Sequence, residues 1–224
     1  MTFHFLGQSG FFVQTGDYEF LIDPFLTGND TAADKPGDFS PAYIILTHAH
    51  GDHYGDTEAI ATRSGATVVA SYEVVTYLGK KDVKGQPLNI GGEVTLPFGT
   101  VKQTPAWHSN SLPDGSYAGM PAGILLGLEG KRIYHAGDTG LFSDMAMIGR
   151  GGLDLAILPI GDLLTMGPKD ALEAVKLLKP KQVIPVHYNT FPMIEQDAEA
   201  FKARVENETD AEVVILNPGE RLTL

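Results

Sequence analysis

The apolar run Tyr43–Leu46 stops directly at Thr47-His48-Ala49-His50-Gly51-Asp52-His53-Tyr54-Gly55-Asp56. A short continuous apolar run reads as a buried strand. Its C-terminal end therefore delivers three imidazoles and a carboxylate to one loop. The chain has seven histidines, and three of them fall here. Neutral imidazole nitrogens and carboxylate oxygens are the donors that zinc and similar divalent ions prefer. In an extended segment His48 and His50, two residues apart, point the same way. Gly51 then permits a sharp turn before Asp52 and His53. The loop can thus serve two ions, with His48 and His50 on one and Asp52 and His53 on the other.

Each ion needs about two further protein ligands. The fold must bring other donors to this point, and the sequence places candidates just after apolar runs. His108 follows Val101–Ala106, Asp138 follows Arg132–His135 within His135-Ala136-Gly137-Asp138-Thr139-Gly140, and His187 follows Val183–Val186. A carboxylate such as Asp138 can bridge two cations about 3.5–4 Å apart. The chain has no cysteine, so thiolate ligands and disulfides are excluded and any metal site is built from nitrogen and oxygen.

The remaining polar residues have plainer readings. Asp23 fits a role behind the ligands, accepting a hydrogen bond from a ligand histidine. His4 reads as structural. His135 either hydrogen-bonds near the site or packs. Thr165-Met166-Gly167 is either a helix start or a substrate-lining loop, and Asp154, Asp162 and Asp170 read as turn and cap residues. Gln8 is neither a strong metal ligand nor a proton carrier, so no role near the site is assigned to it.

Short strand-like runs and turn signals recur along the chain. They lie at Phe3–Leu6, Phe11–Gln14, Tyr18–Ile22, Thr67–Ala70, Val94–Leu96, Gly123–Leu128, Leu155–Leu158, Val213–Leu216 and Arg221–Thr223. Asp56 and Ser71 are placed to cap helices, and Gly65 to end the first of these. A third helix starts at Gly167-Pro168-Lys169-Asp170, with proline at its first position. Leu172, Val175 and Leu178 form its apolar stripe, and Ala198, Phe201 and Val205 mark a fourth. Strands precede helices in each half, which predicts two β-sheets packed face to face with helices outside. A chain of 224 residues without a linker is expected to form one domain over residues 1–224. The longest turn-rich stretches, Thr27–Pro41 and Ser109–Pro121, lie near ligand candidates and are expected to shape a pocket.

The net charge of −12 argues against a nucleic-acid partner, whose phosphates attract clustered lysine and arginine. Two bound divalent cations would offset part of that charge locally, so a small anionic substrate stays compatible. The N-terminus lacks a basic start and a long apolar run. No apolar stretch approaches the roughly 20 residues a bilayer span requires. The expectation is a soluble cytoplasmic protein acting on a small molecule, with no membrane partner and an oligomeric state that the sequence leaves open.

Taken in order, Asp23 in Leu21-Ile22-Asp23-Pro24, the His48–His53 loop, His108, Asp138 and His187 resemble the signature of the metallo-β-lactamase-fold superfamily. Leu21-Ile22-Asp23-Pro24-Phe25, His135-Ala136-Gly137-Asp138-Thr139 and Thr165-Met166-Gly167-Pro168 resemble its metal-dependent hydrolase family related to the L-ascorbate-6-phosphate lactonases. The similarity covers nearly the whole chain. It implies an α/β (α+β) fold, a four-layer αββα sandwich with a dinuclear site at one edge. The implied activity is metal-dependent hydrolysis of a small ester, lactone or phosphoester by a metal-activated hydroxide, with Asp52 orienting the nucleophile or taking its proton. Zinc is the first choice for the two ions, with manganese or iron as alternatives. The competing readings are a phosphodiesterase and an iron-dependent redox enzyme of the same fold.

Overall fold

Three neighbouring strands, β1 (Thr2–Gly7), β2 (Gly10–Thr15) and β3 (Tyr18–Ile22), open an antiparallel meander. Parallel strands β4 (Tyr43–Ile45), β5 (Thr67–Ala70) and β6 (Gly85–Pro87) continue it. The computed structural model describes residues 1–224. The second sheet repeats the plan. Antiparallel β7 (Glu93–Leu96), β8 (Gly99–Pro105), β9 (Ala122–Leu128) and β10 (Lys131–His135) are followed by parallel β11 (Leu153–Pro159), β12 (Pro180–Val186) and β13 (Glu212–Val213). The last strand, β14 (Arg221–Thr223), returns to the first sheet beside β1, so each sheet has seven strands.

Parallel neighbours need crossovers, and helices supply most of them. Helices α1 (Gly51–Tyr54) and α2 (Thr57–Ser64) join β4 to β5, and α3 (Tyr72–Gly79) joins β5 to β6. In the second sheet α4 (Met145–Ile148), α5 (Pro168–Leu178) and α6 (Ala198–Glu208) play that part. The period-two alternation of strand side chains separates the layers. Phe20, Ile22, Ile45, Leu155, Ile157 and Ile184 pack between the sheets. Leu21, Ile44 and Leu46 point the other way, onto Ile60, Val74 and Leu78 of α2 and α3. Ala156, Leu158 and Val183 do the same against Leu172, Val175, Phe201 and Val205 of α5 and α6. The result is the expected αββα sandwich. Burying an isoleucine, leucine or phenylalanine contributes roughly 1.5–3 kcal/mol relative to exposure. The cores on both faces therefore hold the strands, and with them the strand ends. No helix is long and apolar enough to cross a membrane.

Several local expectations need correction. Asp56 precedes α2, but its carboxylate makes no bond to that helix. It accepts from Leu26 N at 3.0 Å, Thr27 N at 2.8 Å and Thr27 Oγ1 at 2.6 Å, pinning the start of the 27–41 loop. The strand expected over Val213–Leu216 is only two residues long, because after Val213 the chain leaves the ladder and Leu216 packs between the sheets. Strand β6, Gly-Gln-Pro, carries no β-branched or aromatic signal and is an edge strand. Ser71 does cap α3, and Gly65 does end α2 in the left-handed conformation.

Candidate metal centre

Strands β1, β3, β4, β8, β10 and β12 end at one edge of the sandwich. Each of the three in the first sheet runs the same way, as do the three in the second, by the pairing directions above. Just beyond those ends lie Gln8, Asp23, the His48–His53 loop, His108, Asp138 and His187. Two glycines set the local geometry. Gly55 ends α1 with φ +41°, and a Cβ there would lie 2.4 Å from Pro24 O, so only glycine lets the ligand loop close on the segment after β3. Gly137, with φ +61°, passes so near Thr47 and Ala122 that a Cβ would come within 2.9 Å of Thr47 Cβ and 2.8 Å of Ala122 O. That approach brings Asp138, carried by the second sheet, against the loop of the first.

All seven predicted ligand candidates converge, in two groups. In the first, His48 Nε2 is 3.1 Å from His50 Nδ1, which is 3.3 Å from His108 Nε2. In the second, His187 Nε2 lies 3.3 Å from Asp52 Oδ2 and 3.0 Å from Asp138 Oδ2. His53 Nε2 stands 3.3 Å from Asp138 Oδ1 and 3.6 Å from Asp52 Oδ2. Asp138 also reaches the first group, with Oδ2 3.5 Å from His108 Nε2 and 3.9 Å from His48 Nε2.

Asp23 fixes which nitrogens face inward. Its Oδ2 accepts from His53 Nδ1 at 2.8 Å and from the Thr47 hydroxyl at 2.5 Å, and its Oδ1 accepts from Thr47 N at 2.9 Å. His53 therefore keeps a proton on Nδ1, so Nε2 is the nitrogen that would turn to a metal. The Thr47 hydroxyl has spent its proton on Asp23, so its 3.0 Å contact with His48 Nδ1 requires the imidazole to donate. His48 Nε2 is then bare. Asp23 is fully buried and its oxygens accept these bonds, so it orients His53 directly and His48 through Thr47, and it also lies close enough to both to form a third candidate ligand group.

The donor set fits divalent cations. Two imidazole nitrogens about 3 Å apart repel unless a proton or a cation lies between them. In the second group His53 Nε2, Asp138 Oδ1 and His187 Nε2 are buried without a hydrogen-bond partner. Native interiors rarely leave such atoms unsatisfied, and a bound ion is one accepted reason. The ionisation balance agrees. Burial and the neighbouring His53 push His48 well below the ordinary histidine value. Burial acts on His53 in the same direction, but the Asp138 and Asp23 carboxylates override it and hold His53 well above that value. For His187 burial is likewise outweighed by Asp138, and the ring is pushed up to about 9. Asp138, despite burial, is held well below the carboxylate range by His53 and His187. Protons thus compensate the carboxylates where metal charge would.

One residue departs from its sequence reading. Gln8, given no role near the site, donates from Nε2 to Asp52 Oδ2 at 2.8 Å, and its carbonyl accepts from His187 N at 2.7 Å. Only its place at the end of β1 could have signalled this. His4 is structural, as read: its Nε2 lies 2.9 Å from Asp34 Oδ2, remote from the ligand groups. His135 joins neither group; it contacts Ser9 O at 2.9 Å and accepts from Gly137 N at 3.0 Å, bracing the turn into Asp138.

A four-layer sandwich with histidine and aspartate ligand candidates gathered at one edge defines a class. The sequence pattern of the β-lactamase superfamily domain matches residues 18–188. A UPF0173 metal-dependent hydrolase of Thermus thermophilus is 53% identical over 98% of this chain and 97% of its own length. The UPF0173 metal-dependent hydrolase YtkL of Bacillus subtilis is 52% identical over 90% of both chains. The solved structure of Igni18, a metallo hydrolase from Ignicoccus hospitalis, is similar with a TM-score of 0.92 and 39% identity, covering 100% of this chain and 97% of that one. The chain belongs to the UPF0173 metal-dependent hydrolases of the β-lactamase superfamily.

Proposed function

We propose that this chain, acting as a single domain, uses two divalent ions to hydrolyse a small ester, lactone or phosphoester. The observation that carries the reading is Asp138, whose two oxygens face both ligand groups while its side chain is only 3% exposed. His48, His50 and His108 would hold one ion, Asp52, His53 and His187 the other, with Asp138 between them. Zinc is the first choice, with manganese and iron as alternatives for the same donors. Such ions, when bound, polarise a carbonyl or phosphoryl oxygen and bring the pKa of water to about 7.

The protein's own groups divide the remaining work. His48, His53, Asp138 and His187 are buried, whereas His50, His108 and Asp52 are partly open. Substrate and water therefore approach over those three. Asp52, with its side chain 26% exposed, is the more accessible carboxylate of the second group. It is placed to orient a water molecule and to accept its proton. Burial opposes its ionisation, but His187, 3.3 Å away, and the charge of His53 keep it ionised. The loop over Ser109–Pro121 is tied to the ligand loop by Asn110, whose Oδ1 accepts from Ala49 N at 2.8 Å and whose Nδ2 donates to Ala118 O at 3.1 Å. The net charge of −12 disfavours a nucleic-acid substrate.

The test is a substrate panel on protein stripped of metal and reloaded with zinc, manganese or iron. It comprises lactones, phosphodiesters, phosphomonoesters and thioesters. Turnover that needs two ions per chain is the expected result. A protein that takes up two ions yet turns over no ester of any kind would overturn the proposal.

A further inference from the structure

We infer that Gln8 is a positioning residue for the second ligand group, setting the affinity of its ion independently of the first. The inference rests on the two-metal reading above. Gln8 lies in the turn between β1 and β2, 2% exposed, with φ +53°. A non-glycine residue in the left-handed region is uncommon and persists only where its surroundings hold it. Two bonds do so here. The side-chain Nε2 donates to Asp52 Oδ2, and the main-chain carbonyl accepts from His187 N. His187 is itself left-handed, at φ +56°. One residue thus grips two members of the group that holds Asp52, His53, Asp138 and His187. It makes no hydrogen bond to His48, His50 or His108.

The chemistry of the amide matters as much as its position. Its N–H fixes one lone pair of Asp52 Oδ2, the oxygen that also lies 3.3 Å from His187 Nε2 and 3.6 Å from His53 Nε2. The same oxygen still faces both ring nitrogens. An amide carries no charge and does not titrate, so this hold on Asp52 neither adds to the cation field nor fades with pH. Gln8 Oε1 is buried and unpartnered, so only one end of the amide is engaged.

The experiment compares the wild type with Gln8→Gly, Gln8→Glu and Gln8→His. Glycine suits the left-handed backbone and keeps the carbonyl bond to His187, so it removes the side chain alone. Glutamate keeps the shape but sets a carboxylate against Asp52. Histidine restores a ring N–H donor. Stepwise zinc affinities are measured by competition with a chelator, and bound metal per chain after dialysis by elemental analysis. Loss of a partner behind a ligand typically costs about 10–100-fold in metal affinity. Gln8→Gly and Gln8→Glu should weaken one of the two zinc ions by that factor and leave the other unchanged, while Gln8→His recovers most of the loss. Equal weakening of both ions, or wild-type affinities in both variants, would overturn the inference. Wild-type protein binding fewer than two ions would instead overturn the two-metal reading. Matching thermal unfolding of the metal-free proteins separates the effect from misfolding, and if Gln8→Glu does not fold, Gln8→Gly decides.

Discussion

Replacing Asp23 by asparagine changes one buried oxygen to an amide nitrogen, and the hydrogen-bond network fixes what must follow. If the amide oxygen keeps the bond to Thr47 N, the new NH2 faces both the Thr47 hydroxyl and His53 Nδ1, the two groups that now donate to Asp23. His53 can accept from it only by moving its proton to Nε2, the atom that faces Asp138. The Thr47 hydroxyl, turned to accept, has its proton free for His48 Nδ1, which sends the His48 proton to Nε2 as well. Turning the amide over sets donor against donor at Thr47 N. That clash favours the first orientation, in which an inward lone pair is lost in both groups. At about 10–100-fold per disturbed ligand, each affected ion loses roughly 1.4–2.7 kcal/mol, taking 1.36 kcal/mol per decade. The metal-free protein also loses charge-assisted bonds worth about 1–3 kcal/mol in all. For a chain of this size that is a fall in Tm of roughly 2–4 °C per kcal/mol. Zinc competition titrations and nitrogen-15 shifts of the histidine rings, which distinguish the two tautomers, supply the assay. Unchanged tautomers at His48 and His53, with both zinc affinities within about threefold of wild type, would refute the reasoning.

Asp138→Ala should abolish turnover and reduce retained metal to less than one ion per chain, since both groups lose a shared carboxylate; elemental analysis after dialysis checks this, and full loading would contradict the bridging role. The metal-free protein should lose stability as pH rises from about 6.5 toward 9. The reason is that His187, at about 9 in the folded chain, and His53, also raised, bind their protons more tightly folded than unfolded. Below that window His48, His50 and His108, held low chiefly by burial, reverse the trend, so Tm measured against pH should peak near the ordinary histidine range; a Tm that climbs steadily from pH 6.5 to 9 would count against it. Asp56→Ala removes the acceptor of two backbone N–H groups and a hydroxyl at the start of the 27–41 loop. About 1–2 kcal/mol of stability should be lost, less than for buried bonds because Asp56 is half-exposed. Limited proteolysis should cut that loop faster, and an unchanged rate would show that the pin is not needed.

The layers and the ligand candidates were legible in the sequence because each rests on a local pattern. Alternation in Phe20-Leu21-Ile22 and the apolar run into His48 specify which face is buried and where the strand ends. The placement of His108, Asp138 and His187 after apolar runs was enough to group them, because parallel strands share an edge. What escaped depends on contacts distant in the chain. Nothing beside Gln8 in sequence reveals that Asp52, 44 residues on, lies within reach of its amide. Asp56 has the composition and position of a helix cap, yet the close approach of Gly55 to Pro24 brings Leu26 and Thr27 nearer than the helix's own N–H groups. Strand β6 was invisible because an edge strand of glycine, glutamine and proline is specified by its neighbour β5, not by its own residues.

Each ligand group draws on both sheets: His48 and His50, or Asp52 and His53, come from the first, and His108, Asp138 and His187 from the second. An ion in either group would be a rivet through the two halves of the sandwich. Cutting the chain between β6 and β7 would leave two fragments, each carrying part of both groups of ligand candidates. If an ion sits in either group, reassembly of such fragments would depend on metal concentration, and the split chain would report it.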